Sequence, residues 1–187
     1  MAMTSCNQQE KIPFEDLKVA RGGEVNRPSY SDLDRLESDS DLIIVGTCVG
    51  EAEQRDIYQY DGHFDENILV MYNTLCNVEI KQVFKGDVEV GDTISVCQQY
   101  GVDEEEGKFW TFSNLTPMID GDTWLFFLYD NRGENYMCCG DEDGRYPILN
   151  NTYRKMALTG SEELGVLDKN CFNERIYAEI LINYEFE

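Results

Sequence analysis

Hydrophobic and polar residues alternate along the stretch from Val70 to Phe84. The even-numbered positions are mostly apolar and the odd-numbered positions mostly polar. Because successive side chains of a strand point to opposite faces, this alternation predicts a half-buried antiparallel strand over 68–84. The pattern resumes over 92–99, after a turn at Lys85–Asp87. A strand of about 15 residues is much longer than the usual five or six, and long, coiled strands are typical of small closed barrels.

Further apolar runs predict the other strands. In residues 41–50 the run Leu-Ile-Ile-Val follows Asp41, so the first half of this strand is predicted to be covered on both faces. Residues 123–129 form a second buried run, which a turn at 130–133 joins to a returning strand at 135–139. A last short strand is predicted at 145–149, after another turn.

Two segments are predicted as connections between strands. Residues 51–67 are polar and are expected to form a loop or the ragged end of a hairpin. Residues 100–122 are rich in glycine and acidic residues, yet they contain Phe109, Trp110 and Phe112. These aromatic side chains either plug one end of the barrel or form an exposed contact patch.

Two helices are predicted, one on each side of the strands. The first covers 31–38, where Ser31 and Asp34 resemble a capping box. The second covers about 171–184 and is amphipathic. Its apolar side chains recur at a spacing of four residues: Phe172, Ile176, Ile180 and Tyr184.

Charge narrows the classes of partner. The chain has 15 basic and 37 acidic residues, a net charge of −22. A surface this acidic argues against nucleic acid and anionic membrane surfaces as partners, because both require a basic patch. It favours basic partners or cations, or is simply a solvated acidic surface. The sequence has no apolar run of about 18 residues, so no transmembrane helix is predicted.

Cysteines suggest a cellular location. Thr4 and Ser5 precede Cys6 in the way that small residues precede the lipidated cysteine of a bacterial lipoprotein signal. Cys6 is therefore predicted as a lipid attachment site, the alternative being an accidental N-terminal cysteine. The other cysteines number six, and they either form up to three disulfides or stay free as small buried side chains.

Catalytic motifs are not apparent, and no catalytic, cofactor-binding or metal-binding residue is predicted. His63 is the only histidine, and it lies in a polar segment without a nucleophile motif. The acidic run at 141–144 has the wrong register for an EF-hand calcium loop and is better interpreted as a turn. The run at 103–106 is interpreted as a solvated tip. A pair of carboxylates for glycoside hydrolysis remains open in so acidic a chain.

The order of the segments resembles a known group. "SDLIIVGTCVG" follows the first helix, the long strand ends in "VEIKQVFKG", and "GDTISV" and "GDTWLFFLY" follow. This order resembles the OB-like barrel of the netrin-like and tissue-inhibitor-of-metalloproteinases group, and most of all bacterial extracytoplasmic lipoprotein domains with the same pattern. The resemblance implies a fold, an extracytoplasmic location and a bias towards protein binding. The animal inhibitors chelate the zinc of a protease through an N-terminal Cys-x-Cys, which Cys6-Asn7-Gln8 does not match.

The predicted fold is therefore mainly β: a five-stranded OB-like closed antiparallel barrel with two flanking helices. Residues 1–30 are assigned to an N-terminal tether and extended segment, 31–150 to the barrel, and 151–187 to a C-terminal extension whose helix packs on the barrel. The leading hypothesis for function is a non-enzymatic binding or structural module, anchored by lipid at the surface of a bacterium, with a protein or cell-envelope partner. The alternatives are an extracellular protease inhibitor acting through a rim loop and a carboxylate-dependent hydrolase.

Overall fold

A computed structural model describes residues 17–21, 28–60, 67–111, 117–148 and 173–186. The fold is mainly β, with helices near the N-terminal region and at the C-terminus, as predicted. The helices are α1 (Leu33–Asp39) and α2 (Glu174–Asn183), and a short 3-10 helix covers Asp141–Gly144. The strands are β1 (Lys18–Arg21), β2 (Leu42–Cys48), β3 (Glu53–Tyr60), β4 (Asn67–Lys85), β5 (Thr93–Gln98), β6 (Tyr100–Asp103), β7 (Lys108–Thr111), β8 (Thr123–Asn131), β9 (Asn135–Cys138) and β10 (Arg145–Pro147).

Five strands close into a barrel, which confirms the predicted closed architecture. Around the ring the order is β8, β2, β4, β5 and β9, and β9 pairs again with β8. The pairing of β5 with β9 is parallel, with Val96 opposite Tyr136, whereas the other four pairings are antiparallel. The barrel is therefore mixed rather than wholly antiparallel. The reason is geometric: strand direction cannot alternate all the way around a ring with an odd number of strands.

Strand β4 is the spine of the barrel, as its alternation predicted. It has 19 residues and pairs with three other strands along its length. Its first half pairs with β3, its middle with β5 and its second half with β2. The partner strand β3 lies where a loop or ragged hairpin end was predicted. Its first residues, Glu53 to Arg55, are polar and exposed, so the sequence there shows no apolar alternation.

The interior of the barrel is filled with side chains. The buried residues that pack together there come from all five barrel strands and from Met118. They are Leu42, Ile44, Cys48, Cys76, Val78, Ile80, Val96, Met118, Trp124, Phe126, Leu128 and Cys138. A barrel packed in this way is a structural core rather than a ligand container.

A second core lies outside the barrel, between its wall and the two helices. Leu33 and Leu36 of α1 pack there with Ile176 and Ile180 of α2. The N-cap of α1 is Asp32, whose carboxylate accepts a hydrogen bond from the amide of Arg35. The predicted capping box began one residue earlier, at Ser31. The Ser31 hydroxyl instead donates to Asp32, at 2.8 Å.

A small sheet of β1, β7 and β6 lies outside the five-stranded ring. Strands β6 and β7 lie in the segment 100–122 that was predicted as a connection, and β1 lies in the predicted N-terminal extended segment. Phe109 is buried there against Leu17 and Tyr100. The Tyr100 hydroxyl lies 3.8 Å from the sulfur of Cys76 in the barrel core. Phe109 is thus part of a buried cluster that adjoins the barrel, and it does not belong to an exposed contact patch. Phe112 lies outside the described residues.

Candidate binding groove

A groove of about 620 Å³ lies on the outer face of the barrel. Its walls are α1, the start of β2, the end of β4 and the C-terminal end of α2. The residues that line it are Asp34, Glu37, Ser38, Ile43, Phe84, Lys85, Asn183 and Tyr184. The groove therefore combines aromatic surface with two carboxylates and one ammonium group.

The position of α2 depends on hydrogen bonds with α1. Asn173 caps α2 by accepting from the amides of Arg175 and Ile176, and its side-chain nitrogen donates to the carbonyl of Tyr30. The Glu179 carboxylate accepts from the amide of Leu33 in the first turn of α1, at 3.2 Å. These bonds satisfy helix-end amides, and they fix one helix relative to the other.

Phe84 reaches the groove because of a β-bulge. Strict alternation predicts Phe84 on the same face of β4 as Val78 and Ile80. The register of β4 with β2 shifts twice, however. One shift lies between Ile43 and Ile44, at Phe84 itself, and the other lies between Val45 and Gly46, where Lys81 is the extra residue on β4. Beyond Lys81 the alternation of inward and outward side chains is reversed. Val83 packs into the barrel, and Phe84 packs with the outer core. Bulges commonly redirect side chains in this way.

Aromatic rings form one wall of the groove. Phe84 and Tyr184 meet edge to face, with ring centroids 4.7 Å apart. Phe127 lies 6.0 Å from Tyr184, and Phe186 lies 6.3 Å from Phe84. These separations are in the range of favourable aromatic pairs. Phe84, Tyr184 and Phe186 are each only partly buried, so part of this aromatic surface remains accessible.

The polar groups of the groove are organised around Glu37. The Tyr184 hydroxyl donates to the Glu37 carboxylate at 2.6 Å, and Lys85 donates to the Glu37 carbonyl at 2.7 Å. Burial and the bond to Glu37 both raise the pKa of Tyr184, so its hydroxyl stays protonated at neutral pH. Lys85 lies near the C-terminal end of α1, where a cation stabilises the exposed carbonyl groups.

A second group of polar side chains lies inside the barrel, around Arg145. Arg145 is 3% exposed. Its guanidinium donates to Gln98 at 3.0 Å and lies 4.3 Å from the centroid of the Trp124 ring. Asp122 is buried nearby, and burial raises its pKa, while the Ile119 amide and the charge of Arg145 lower it. Among the described residues, neither carboxylate oxygen of Asp122 has a hydrogen bond of good geometry.

Thiols adjoin this interior group. Burial raises the pKa of Cys48 and Cys138 to about 12 and that of Cys76 to about 11. The five described cysteines, which also include Cys97 and Cys139, are buried and free rather than joined in disulfides. Buried thiols with raised pKa values are protonated at neutral pH and are poor nucleophiles. In the described part of the chain, no cluster of histidine, cysteine or acidic side chains is arranged to hold a metal ion.

The residues weighed from sequence fall in different places. Cys6 and His63 lie outside the described residues. In the run at 141–144, the Asp143 carboxylate accepts from the amide of Tyr30 at 3.0 Å, which is a structural contact. At the other acidic run, Asp103 accepts from the amide of Glu106 in the turn between β6 and β7. Neither acidic run lines the groove.

The groove itself was not predicted. Its residues come from four elements that are distant in sequence, and Phe84 was assigned to the opposite face of its strand. The one usable signal was the apolar spacing that ends at Tyr184, which marks where α2 meets the barrel.

Comparison with known proteins does not assign this chain to a family. A scan against models of protein families finds no match, and a search of curated proteins finds no significantly similar sequence. The closed five-stranded mixed barrel is compatible with an OB-like barrel. No helix among the described residues is long and apolar enough to cross a membrane.

Proposed function

We propose that this protein is a non-enzymatic protein-binding or structural module, lipid-anchored through Cys6 at the surface of a bacterium. The observation that carries the proposal is the groove on the outside of a filled barrel. Because buried side chains of the described strands fill the barrel interior, a partner is expected to contact the outer surface. A groove with partly exposed aromatic side chains is the kind of surface that protein partners contact.

The order of strands supports the proposed kinship. A closed ring in which the third strand pairs in parallel with the fifth is compatible with the OB-like barrel of the netrin-like and tissue-inhibitor-of-metalloproteinases group. The lipoprotein relationship rests on the residues around Cys6. An inhibitor acting through a rim loop remains an alternative with the same location. A blank result in an assay panel of extracellular proteases would count against it.

Binding at the groove can be tested by photo-cross-linking in cells. A photoreactive phenylalanine analogue replaces Asn183, which lines the groove, or Val90, which is 65% exposed and does not line it. We expect a discrete protein adduct from position 183 and none from position 90. The cross-linked partner must then bind the purified chain directly. Equal adducts at both positions, or none from a protein displayed on cells, would contradict the proposal.

The anchor has its own test. Cells that express the protein from its native gene are grown with a radiolabelled fatty acid. We expect the wild-type protein to carry the label and the Cys6→Ser variant to lose it. If the wild-type protein is not labelled, the lipid anchor at Cys6 is rejected. The binding function is then decided by the cross-linking experiment alone.

A second candidate function is a carboxylate-dependent hydrolase. It is favoured by the presence of Asp34 and Glu37 in one groove, a single turn apart on α1. Side chains at this spacing have Cβ atoms roughly 5–6 Å apart, which is compatible with paired carboxylates. A panel of glycoside substrates, assayed with wild type, Asp34→Asn and Glu37→Gln, tests it. Activity that either substitution abolishes would establish the hydrolase in place of the binding module.

A further inference from the structure

We propose that the groove takes a basic, partly apolar segment of a partner protein. A lysine or arginine of that segment would face Asp34 and Glu37, and its apolar side chains would contact Phe84 and Tyr184. This inference rests on the proposed binding function and names the chemistry of its partner.

Charge is the first argument for a basic partner. The chain carries a net charge of −22, so its field attracts cations over distances comparable to the Debye length. The groove is lined by two carboxylates, of Asp34 and Glu37, and by a single ammonium group. That ammonium group, on Lys85, is already bonded to the carbonyl of Glu37. The groove therefore has an excess of negative charge where a ligand would enter.

Aromatic surface is the second argument. The face of an aromatic ring attracts a cation, because the ring quadrupole is negative there. Phe84, Tyr184 and Phe186 lie close together and are each only partly buried. The Glu37 carboxylate is adjacent to them, held by the Tyr184 hydroxyl at 2.6 Å. Rings beside a carboxylate can bind both the apolar stem and the charged end of a lysine or arginine side chain.

Exposed apolar residues are the third argument. Leu181 is 54% exposed and Ile182 is 82% exposed. Both lie in the last turn of α2 and immediately precede the groove residue Asn183 in the sequence, although they do not themselves line the groove. A ligand consisting only of a cation would have no use for this surface. A peptide segment that alternates apolar and basic side chains would use both features.

The test is fluorescence anisotropy with three matched peptides and the purified full chain. The peptides share a sequence of leucine alternating with lysine, with neutral glutamine, or with glutamate. We expect the lysine peptide to bind at least about tenfold more tightly than the glutamine peptide, and the glutamate peptide not to bind. Binding of the lysine peptide should weaken as salt is added, because salt screens exposed charges.

Variants locate the binding. Phe84→Ala should weaken binding of the lysine peptide by about tenfold or more, because an aromatic side chain that anchors a partner carries much of the binding energy. Asp34→Asn and Glu37→Gln should each weaken binding of the lysine peptide severalfold. Glu37→Gln keeps an oxygen that can accept a hydrogen bond from the Tyr184 hydroxyl. Glu104→Gln is the matched control, since it removes the same charge from an exposed position in the turn between β6 and β7. That variant should bind like wild type.

The outcomes separate this inference from the proposed function. If lysine and glutamine peptides bind equally and Phe84→Ala weakens both, the groove is a binding site and the basic partner is rejected. If Glu104→Gln weakens binding as much as Glu37→Gln, attraction is diffuse and the groove assignment fails. If the lysine peptide does not bind, the inference fails, and the cross-linking experiment still decides the proposed function.

Discussion

Gly46 lies where the barrel wall leaves no room for a side chain. A Cβ atom placed on Gly46 would lie 2.3 Å from Cγ1 of Val78, which is fully buried in the barrel core. Because valine has few accessible rotamers, it cannot turn away from the added methyl group. Overpacking of this kind costs about 1–3 kcal/mol. The reduced chain entropy of alanine in the unfolded state returns about 0.4–1 kcal/mol. We therefore expect Gly46→Ala to lower the free energy of unfolding by about 1–2 kcal/mol.

Val78→Ala removes the atom that the new methyl group would meet. Alone, it loses two buried methyl groups, at about 0.8 kcal/mol each for transfer, and it leaves a cavity. We expect a total loss of about 2–3 kcal/mol. In the double variant the Gly46→Ala methyl group occupies part of that cavity. The combined loss should therefore be smaller than the sum of the single losses by about 1–2 kcal/mol.

Urea unfolding of the wild type and the three variants measures this coupling. The matched control is Val90→Ala, since Val90 is 65% exposed, and it should change stability by no more than about 0.5 kcal/mol. Losses that add within about 0.5 kcal/mol would mean that positions 46 and 78 do not touch. That result would refute the register of β2 on β4, and with it the bulge that directs Phe84 to the groove.

Four further predictions concern helix packing, the pH dependence of stability at Asp122 and at Asp32, and the thiols. Ile180→Ala should destabilise the protein by about 2–5 kcal/mol in urea unfolding because Ile180 is fully buried, whereas the exposed Leu181→Ala should have little effect. Burial raises the pKa of Asp122 in the folded protein above its value in the unfolded chain. The free energy of unfolding should therefore fall as pH rises from the unfolded to the folded pKa of Asp122. In unfolding curves measured over the acid range, Asp122→Asn should remove that fall. The amide of Arg35 lowers the pKa of Asp32, so the ionised Asp32 carboxylate stabilises the folded protein, and this stabilisation is lost as pH falls through the folded pKa. Asp32→Asn should remove this pH-dependent part of the free energy of unfolding. Ellman's reagent should leave the five buried thiols unmodified in the native protein and modify them after unfolding, and their rapid modification in the native state would contradict the packing.

The barrel was predictable where the sequence pattern follows one local rule. On β4, side chains from Tyr72 to Ile80 are alternately buried and more exposed, as their order of apolar and polar residues indicated. The apolar run at the start of β2 is buried throughout, because the barrel interior lies on one side and the outer core on the other. Ile176 and Ile180 are buried at the predicted spacing of four.

The rest depends on contacts that are not local. β3 begins with exposed polar residues and exists as a strand through its pairing with β4. β6 and β7 are four residues each and are completed by β1, which lies far from them in sequence. Phe84 was placed on the wrong face because a bulge reverses the alternation, and no residue near Lys81 signals a bulge. The groove could not be predicted without that reversal.

The most direct test of the binding account is an NMR titration of the full chain with the lysine–leucine peptide. We expect amide shifts that saturate together and that are largest at Glu37, Phe84 and Tyr184, which line the groove. The turn between β6 and β7, which is also acidic and exposed, should not respond. Shifts spread over all acidic segments, with none concentrated at the groove, would contradict the account.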